Sequence, residues 1–143
     1  MPILKITSLL TSILLFSPIS ASAELASLKV TVTDAATTTG TIEVTLFDSS
    51  ESFLKEVFLQ QSGKVGENKT FVAEFAGLEE GEYAVVVVHD ENDSGAYDSG
   101  FLGFGGESLG YSNNVRSLLG RPDFDEVKLS IGAGPTEIEI SLH

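Results

Sequence analysis

The chain has 143 residues and a formal net charge of −13, with 21 acidic and 8 basic residues and no cysteine. The lack of cysteine excludes disulfides, cysteine-based zinc sites and a lipid attached to an N-terminal cysteine. The negative charge argues against nucleic acid as a partner, because basic patches carry that affinity. The composition favours a small soluble domain, with cations or a basic surface as the partners that its charge would suit.

The first 23 residues have the pattern of an export signal. Lys5 supplies a positive charge, residues 6–16 form an apolar run, and Ala21 to Ala23 match a small-x-small cleavage site. The run is about half the roughly 20 residues that a membrane span needs. We therefore expect a signal peptide over residues 1–23 and one domain over residues 24–143, in the periplasm or outside the cell and without a lipid anchor. The alternative is an N-terminal helix that is not cleaved.

Most of the remaining chain alternates between apolar and polar residues, which is typical of half-buried strands. Residues 50–61 differ, because their apolar side chains have the i,i+4 spacing of a short helix, which can run into an edge strand. About seven short strands, one short helix and a long Gly-rich loop predict an all-β, antiparallel β-sandwich. Six of the predicted strands are residues 28–33, 41–48, 70–75, 82–89, 127–131 and 137–142, and the edge strand within residues 50–61 is the seventh.

Two features of the strand predicted over residues 82–89 sharpen this prediction. Tyr83 follows a Leu-Glu-Glu-Gly-Glu turn and has the position of a tyrosine corner, so we expect a structural role. Residues 85–88 are four consecutive valines, apolar on both faces. A half-exposed strand would alternate, so this strand should be central and covered on its outer face. The segment 53–58 or the loop after Asp98 is the predicted cover.

The valine strand ends in a run of oxygen-bearing side chains. Their order matches the first nine positions of an EF-hand calcium loop, with Gly95 at the position that needs a sharp turn. The predicted ligands are the side chains of Asp90, Asn92, Ser94 and Asp98 and the carbonyl oxygen of Ala96. This pattern makes Ca²⁺ the one cofactor that the sequence suggests.

The calcium pattern is incomplete at its end. Position twelve, where a bidentate Glu completes an EF-hand shell, is Phe101. We therefore expect an affinity no better than the roughly 10⁻⁴ to 10⁻³ M of extracellular modules. Glu107 is a candidate for a distal ligand. The alternative is a turn without metal, because Asp, Asn, Ser and Gly form such turns by themselves.

His89 adjoins this loop and is the one histidine that could serve a catalytic triad, since the other is the C-terminal residue. The sequence contains no Gly-x-Ser-x-Gly elbow to position a nucleophile. His89 also shares a face with Tyr83 and Val85. We therefore expect a packed, structural histidine at the end of a strand and no catalytic residues, with a general base as the alternative.

The chain is Gly-rich from residue 99 to residue 125, and three aromatic residues lie in its loop over residues 101–114. Phe101, Phe104 and Tyr111 are candidates for stacking on a sugar or clasping a peptide, because long ordered loops are often functional. We favour the alternative that they cover the outer face of the valine strand.

A long ordered set of motifs extends from about residue 28 to residue 142. This set resembles DUF2141, a family of short exported bacterial proteins of unknown function. The family usually reads Asn-Gly-Asn-Gly-Lys-Leu-Asp where this chain has residues 92–98, and Ser94 is a poorer ligand than Asn or Asp. The resemblance implies an extracytoplasmic Ig-like or transthyretin-like sandwich, without an established activity, substrate or partner. The motifs are residues 44–48, Phe53-Leu54, residues 75–78, Gly81-x-Tyr83, residues 89–92 with Asp98, Leu102-Gly103, residues 110–114 and Pro122-x-Phe124.

Three hypotheses about function follow. The first is a non-catalytic exported module that binds calcium weakly for rigidity. The second is a glycan- or protein-binding module that uses the Gly-rich aromatic loop over residues 101–114 without metal. The third, and the most remote, is a hydrolase built on His89 with Asp90 or Glu107.

Overall fold

The computed structural model describes residues 24–95, 106–117 and 120–143. The expected export signal, residues 1–23, lies outside the described residues, and no helix in the described part is long and apolar enough to cross a membrane. The described chain forms eight strands, a 3₁₀ turn and one short helix. These are β1 (Ala26–Thr33), β2 (Thr41–Phe47), β3 (Leu59–Lys64), β4 (Phe71–Leu78), β5 (Gly81–Asp90), β6 (Ser108–Tyr111), the 3₁₀ turn (Ser112–Asn114), α1 (Phe124–Val127), β7 (Leu129–Ile131) and β8 (Pro135–Ser141).

The strands form two sheets. One has the order β4-β1-β8, and the other has the order β3-β2-β5-β6, with β7 also paired to the first residues of β5. The predicted all-β, sandwich-like fold is confirmed, with eight strands where about seven were expected. One pair departs from the antiparallel prediction, because β1 and β8 run parallel, from Ser27 opposite Pro135 to Thr33 opposite Ser141. Alternation of side chains reports which faces are buried, and it carries no information about strand direction.

The short helix predicted near residues 53–58 is wrong. The N–H of Phe53 donates to the carbonyl of Ser49, and the N–H of Glu56 donates to that of Ser52, so single helical turns do form. Leu54 has a φ of +58°, which places it in the left-handed region and ends the helical path. The predicted edge strand is confirmed as β3, whereas the short helix of this fold is α1.

The core between the sheets is built from the inward faces predicted by alternation. Ile42, Val44 and Leu46 of β2 are completely buried, and they pack with Val85 and Val87 of β5 and with the inward residues of β1, β4 and β8. Period-two burial along β1, and along β2 as far as Val44, therefore follows directly from their sequences, whereas Thr45 and Phe47 on the other face of β2 are buried as well.

A second apolar cluster covers the outer face of β5, as the unbroken valine run required. Ala84 and Val86 pack there against Phe53 from the 50–58 segment and Phe124 of α1. The rings of Phe47 and Phe53 meet edge to face at 5.4 Å. Both predicted sources of cover, the 53–58 segment and the chain after Asp98, contribute to this second cluster.

Tyr83 forms the predicted tyrosine corner. Its hydroxyl donates to the carbonyl of Glu79 at 2.9 Å, and its ring packs into the core. Burial, followed by the negative charges of Glu79 and Asp48, raises the pKa of the Tyr83 hydroxyl above its ordinary value. The proton is therefore held where the corner needs a donor, which supports the structural role predicted for Tyr83.

Two side-chain amides join the sheets at their edges. Gln61 of β3 donates to the carbonyl of Glu74 in β4 and accepts from the N–H of the same residue at 2.9 Å. Asn114 donates to the carbonyl of Glu139 at 3.1 Å and accepts from the N–H of Ser141 at 2.8 Å, both in β8. Each amide replaces part of a strand partner with one donor and one acceptor.

Candidate functional site

The predicted calcium loop begins at the last residue of β5. Asp90 lies opposite Thr41, the first residue of β2, and this register fixes where the loop leaves the sheet. The backbone at Gly40 passes so close that a Cβ there would lie 2.2 Å from the carbonyl oxygen of Asp90. Gly95, at the position that needs a sharp turn, has a φ of +76°. The described part of the loop thus starts from a fixed position on the sheet at Asp90 and ends in a sharp turn at Gly95.

The oxygens of Asp90 and Asn92 fold the loop back on itself. Asp90 accepts from the N–H of Ser94 at 3.0 Å and from the N–H of Gly95 at 2.8 Å, one on each carboxylate oxygen. The side-chain oxygen of Asn92 also accepts from the N–H of Ser94, at 2.9 Å. These are the Asx-type bonds of the metal-free alternative. A carboxylate oxygen has more than one lone pair, so one N–H at each oxygen leaves acceptor capacity for a cation.

Asp93, which occupies a non-ligand position of the calcium pattern, anchors the loop to the sheet. Its carboxylate accepts from the Lys64 ammonium of β3 and from the Thr41 hydroxyl of β2, both at 2.6 Å. The bond from Lys64, and then the bond from Thr41, lower the pKa of Asp93 below its ordinary value. The anchor therefore requires an ionised Asp93.

Removing the Lys64 ammonium should change how Asp93 titrates. A lowered folded-state pKa stabilises the fold at pH values above the unfolded pKa of about 3.9, and that contribution is lost as the pH falls through the folded pKa. We expect Lys64→Met to move the Asp93 titration toward the ordinary value, as measured by carboxyl NMR. Lys55→Met is the control, and an equal shift in both variants would contradict the anchor.

Glu107 lies near Asp90 in the structure, although the two residues are well separated in the chain. Their carboxyl groups are close enough for a hydrogen bond, and Glu107 is partly buried just before β6. The pKa of Asp90 lies below its ordinary value, first because of the Gly95 N–H and further because of the Ser94 N–H and Glu107. Two carboxyl groups in contact can bond only through a proton or a cation.

Only some of the candidate calcium ligands are among the described residues. They are Asp90, Asn92, Ser94 and Glu107, four side chains for an ion that takes six to eight oxygens. Within the described ranges, no three side chains of His, Cys, Asp or Glu are grouped so that they could hold a metal ion. The predicted ligands Ala96 and Asp98 lie outside the described residues. Their part in the site stays a prediction.

His89 is completely buried in the structure. One ring nitrogen, Nε2, lies 2.7 Å from the carbonyl oxygen of Thr39 in the β1–β2 connection. Its backbone pairs with Ile42 on one side and Ser108 on the other. A side chain enclosed in this way cannot reach a substrate from solvent, which supports the structural role that its position in the strand predicted.

The aromatic residues of the Gly-rich loop fall into two groups. Tyr111 is only 7% exposed and belongs to the second apolar cluster, beside Phe124. That burial supports the covering role over stacking on a ligand. Phe101 and Phe104 lie outside the described residues, so both of their suggested roles remain predictions.

Sequence reasoning missed the contribution of Ser112-Asn113-Asn114. The buried Ser112 hydroxyl accepts from the N–H of Val85 at 2.9 Å and donates to the carbonyl of Val127, so it links β5 to the end of α1. Asn113 donates to the carbonyl of Lys128 at 2.9 Å. Both asparagines have positive φ, which Asn tolerates better than most residues. Consecutive asparagines inside a Gly-rich stretch were the available signal.

Comparison with known proteins agrees with the motifs. Searches of the curated proteins and of the solved structures gave no match to this chain. A family model described as an uncharacterized protein conserved in bacteria, DUF2141, matches residues 30–139. That range extends from β1 into β8 and includes the loop after β5 and the Ser112-Asn113-Asn114 turn. The chain therefore belongs to the DUF2141 family.

Proposed function

We propose that this protein is a non-catalytic, exported module in which the loop after β5 binds a calcium ion weakly and so becomes more rigid. The observation that carries the proposal is the contact between Asp90 and Glu107, two carboxyl groups held together at the end of a buried strand. Asp90 has a lowered pKa and is ionised at neutral pH. A divalent cation between the two side chains takes the place of the proton that this contact otherwise needs.

The loop supports cation binding in two further ways. Its backbone is fixed by bonds from Ser94 and Gly95 to Asp90, so little ordering is needed when an ion binds. Asn92 adds an uncharged oxygen of the kind that calcium accepts. Few charged ligands predict a weak site, which matches the roughly millimolar affinities of extracellular modules and the export expected from residues 1–23. The enclosed His89 supports a non-catalytic role.

Calcium should therefore raise the stability of the protein. At a concentration ten times the dissociation constant, a ligand that binds only the folded state adds about 1.4 kcal/mol. We expect millimolar CaCl₂ to raise the melting temperature by several degrees, and a chelator to reverse the rise. Asp90→Asn and Glu107→Gln should abolish it, whereas Glu91→Gln, which removes the same charge from a neighbouring non-ligand position, should keep it.

The same thermal unfolding measurements distinguish a calcium ion between Asp90 and Glu107 from a proton shared by the two carboxyl groups. A proton between Asp90 and Glu107 predicts no calcium-dependent rise, no heat in a calcium titration, and a stability at neutral pH that Glu107→Gln preserves or increases. That set of results would refute calcium binding. A rise that Mg²⁺ reproduces equally, or that Glu91→Gln loses equally, would assign the effect to general screening of the negative charge.

A further inference from the structure

Three consecutive apolar residues stand out on the surface near the start of β3. Val57 is 51% exposed, Phe58 43% and Leu59 38%, and together they are three of the five large apolar side chains exposed in the described part of the chain. Single exposed apolar residues are ordinary, whereas contiguous ones indicate a binding surface.

Two of these residues line a cavity. Its volume is about 320 Å³, and its other walls come from Asp48, Ser49, Glu51, Ser52 and Glu56 in the connection between β2 and β3. The Ser52 hydroxyl donates to Asp48 at 3.1 Å, and the Phe53 N–H donates to the Ser49 carbonyl at 3.1 Å. The size lies within the range of small-ligand sites, and these bonds form the walls before any ligand arrives.

The cavity is negatively charged and has an aromatic wall. Asp48, Glu51 and Glu56 line it, and no basic residue is among its described lining residues. The ring of Phe58 is supported from below by the ring of Tyr83, with centroids 5.9 Å apart. The charge of Asp48 also contributes to the raised pKa of Tyr83.

We propose that this cavity binds an arginine side chain from a partner polypeptide. A guanidinium group carries the complementary charge, bonds carboxylates through its planar fork and stacks on an aromatic face. The aliphatic part of the side chain contacts Val57 and Phe58. The site follows Phe47 at the end of β2, whereas Asp90 lies opposite Thr41 at its beginning. The two proposed sites are therefore at opposite ends of the sheet and can be tested independently.

A titration with a short peptide tests this site. The probe is Gly-Arg-Gly with blocked ends, followed by two-dimensional NMR of the whole protein, and the reference is the same peptide with citrulline, which keeps the shape and removes the charge. We expect saturable shifts at residues 48–58 with arginine and none with citrulline. Glu51→Gln and Glu56→Gln should each weaken binding about two- to fivefold, the strength of an exposed ion pair.

The controls separate this site from general attraction to an acidic protein. Glu67→Gln removes one charge beyond the other end of β3 and should leave the affinity unchanged. Phe58→Leu keeps an apolar wall and should weaken arginine binding while leaving the fold intact by NMR. Equal binding of citrulline, an equal loss in Glu67→Gln, or shifts spread over the whole surface would overturn the proposal. Equal binding of a lysine peptide would overturn the role of the aromatic stack.

Discussion

Replacing Gly40 by alanine should lower the free energy of unfolding by about 3 kcal/mol or more. Gly40 has a φ of +83°, and a Cβ there would lie 2.2 Å from the carbonyl oxygen of Asp90 and 2.6 Å from the Cα of Glu91. Both neighbours are backbone atoms, so no side-chain rotation relieves the overlap. Either the β1–β2 connection or the end of β5 must move. Chemical denaturation of the purified variant measures the loss.

Gly77→Ala is a matched control for the steric part of this effect. Gly77 has a similar φ of +72°, and a Cβ there would have nothing within 4 Å. Its replacement costs only the left-handed conformation, about 1–2 kcal/mol. The difference between the two variants is therefore the cost of the contact with β5. Equal losses of unfolding free energy in both variants would show that the close approach to β5 at Gly40 adds nothing to the cost of the substitution. Since the displaced atoms belong to Asp90 and Glu91, Gly40→Ala should also weaken any calcium response.

Replacing Ser112 by alanine should cost about 1–3 kcal/mol. The hydroxyl is completely buried and bonded to the N–H of Val85 and the carbonyl of Val127. Alanine fills nearly the same space, yet it leaves a buried donor without an acceptor. The midpoint of thermal unfolding should fall by several degrees, because about 1 kcal/mol corresponds to 4–8 °C in a small domain.

Ser130→Ala serves as the comparison for Ser112→Ala. Ser130 lies on β7 with its side chain exposed, so the same chemical change there should stay within about 0.5 kcal/mol of the natural protein. If both variants melted at the same temperature as the natural protein, the Ser112 hydroxyl would not contribute to stability, and the link between β5 and α1 would depend on apolar packing alone.

Alternation of side chains was sufficient to predict the strands that have one buried face. β1, β4 and β8 follow it closely, and β2 follows it as far as Val44. The four valines of β5 correctly required cover on both sides. β6 was missed because Ser108-Leu109-Gly110-Tyr111 is short and contains glycine. That glycine is there for packing, since a Cβ at Gly110 would lie 2.6 Å from Ile140 of β8. Such a requirement depends on a distant strand and leaves no periodic signal.

The candidate loop was also predictable only in part, because some of its contacts are local and others come from distant strands. Local chemistry determines the turn, so the positive φ of Gly95 and the acceptor roles of Asp90 and Asn92 follow from residue types. The anchor on Asp93 comes from Lys64 and Thr41, which lie on other strands. Glu107 was a distal candidate, but spacing alone could not place it beside Asp90. Contacts between residues far apart in the chain require the strand order, which one sequence does not contain.

The amides of Gln61 and Asn114 also affect how copies of this protein meet one another. A strand at the edge of a sheet offers N–H and carbonyl groups to which a strand of another chain can add. Gln61 occupies those groups at Glu74 of β4, and Asn114 occupies them at Glu139 and Ser141 of β8. Because β4 and β8 are the two edges of one sheet, each of its margins has some of these groups already bonded within the chain. A strand from another copy would have to displace an amide before it could pair along the full edge.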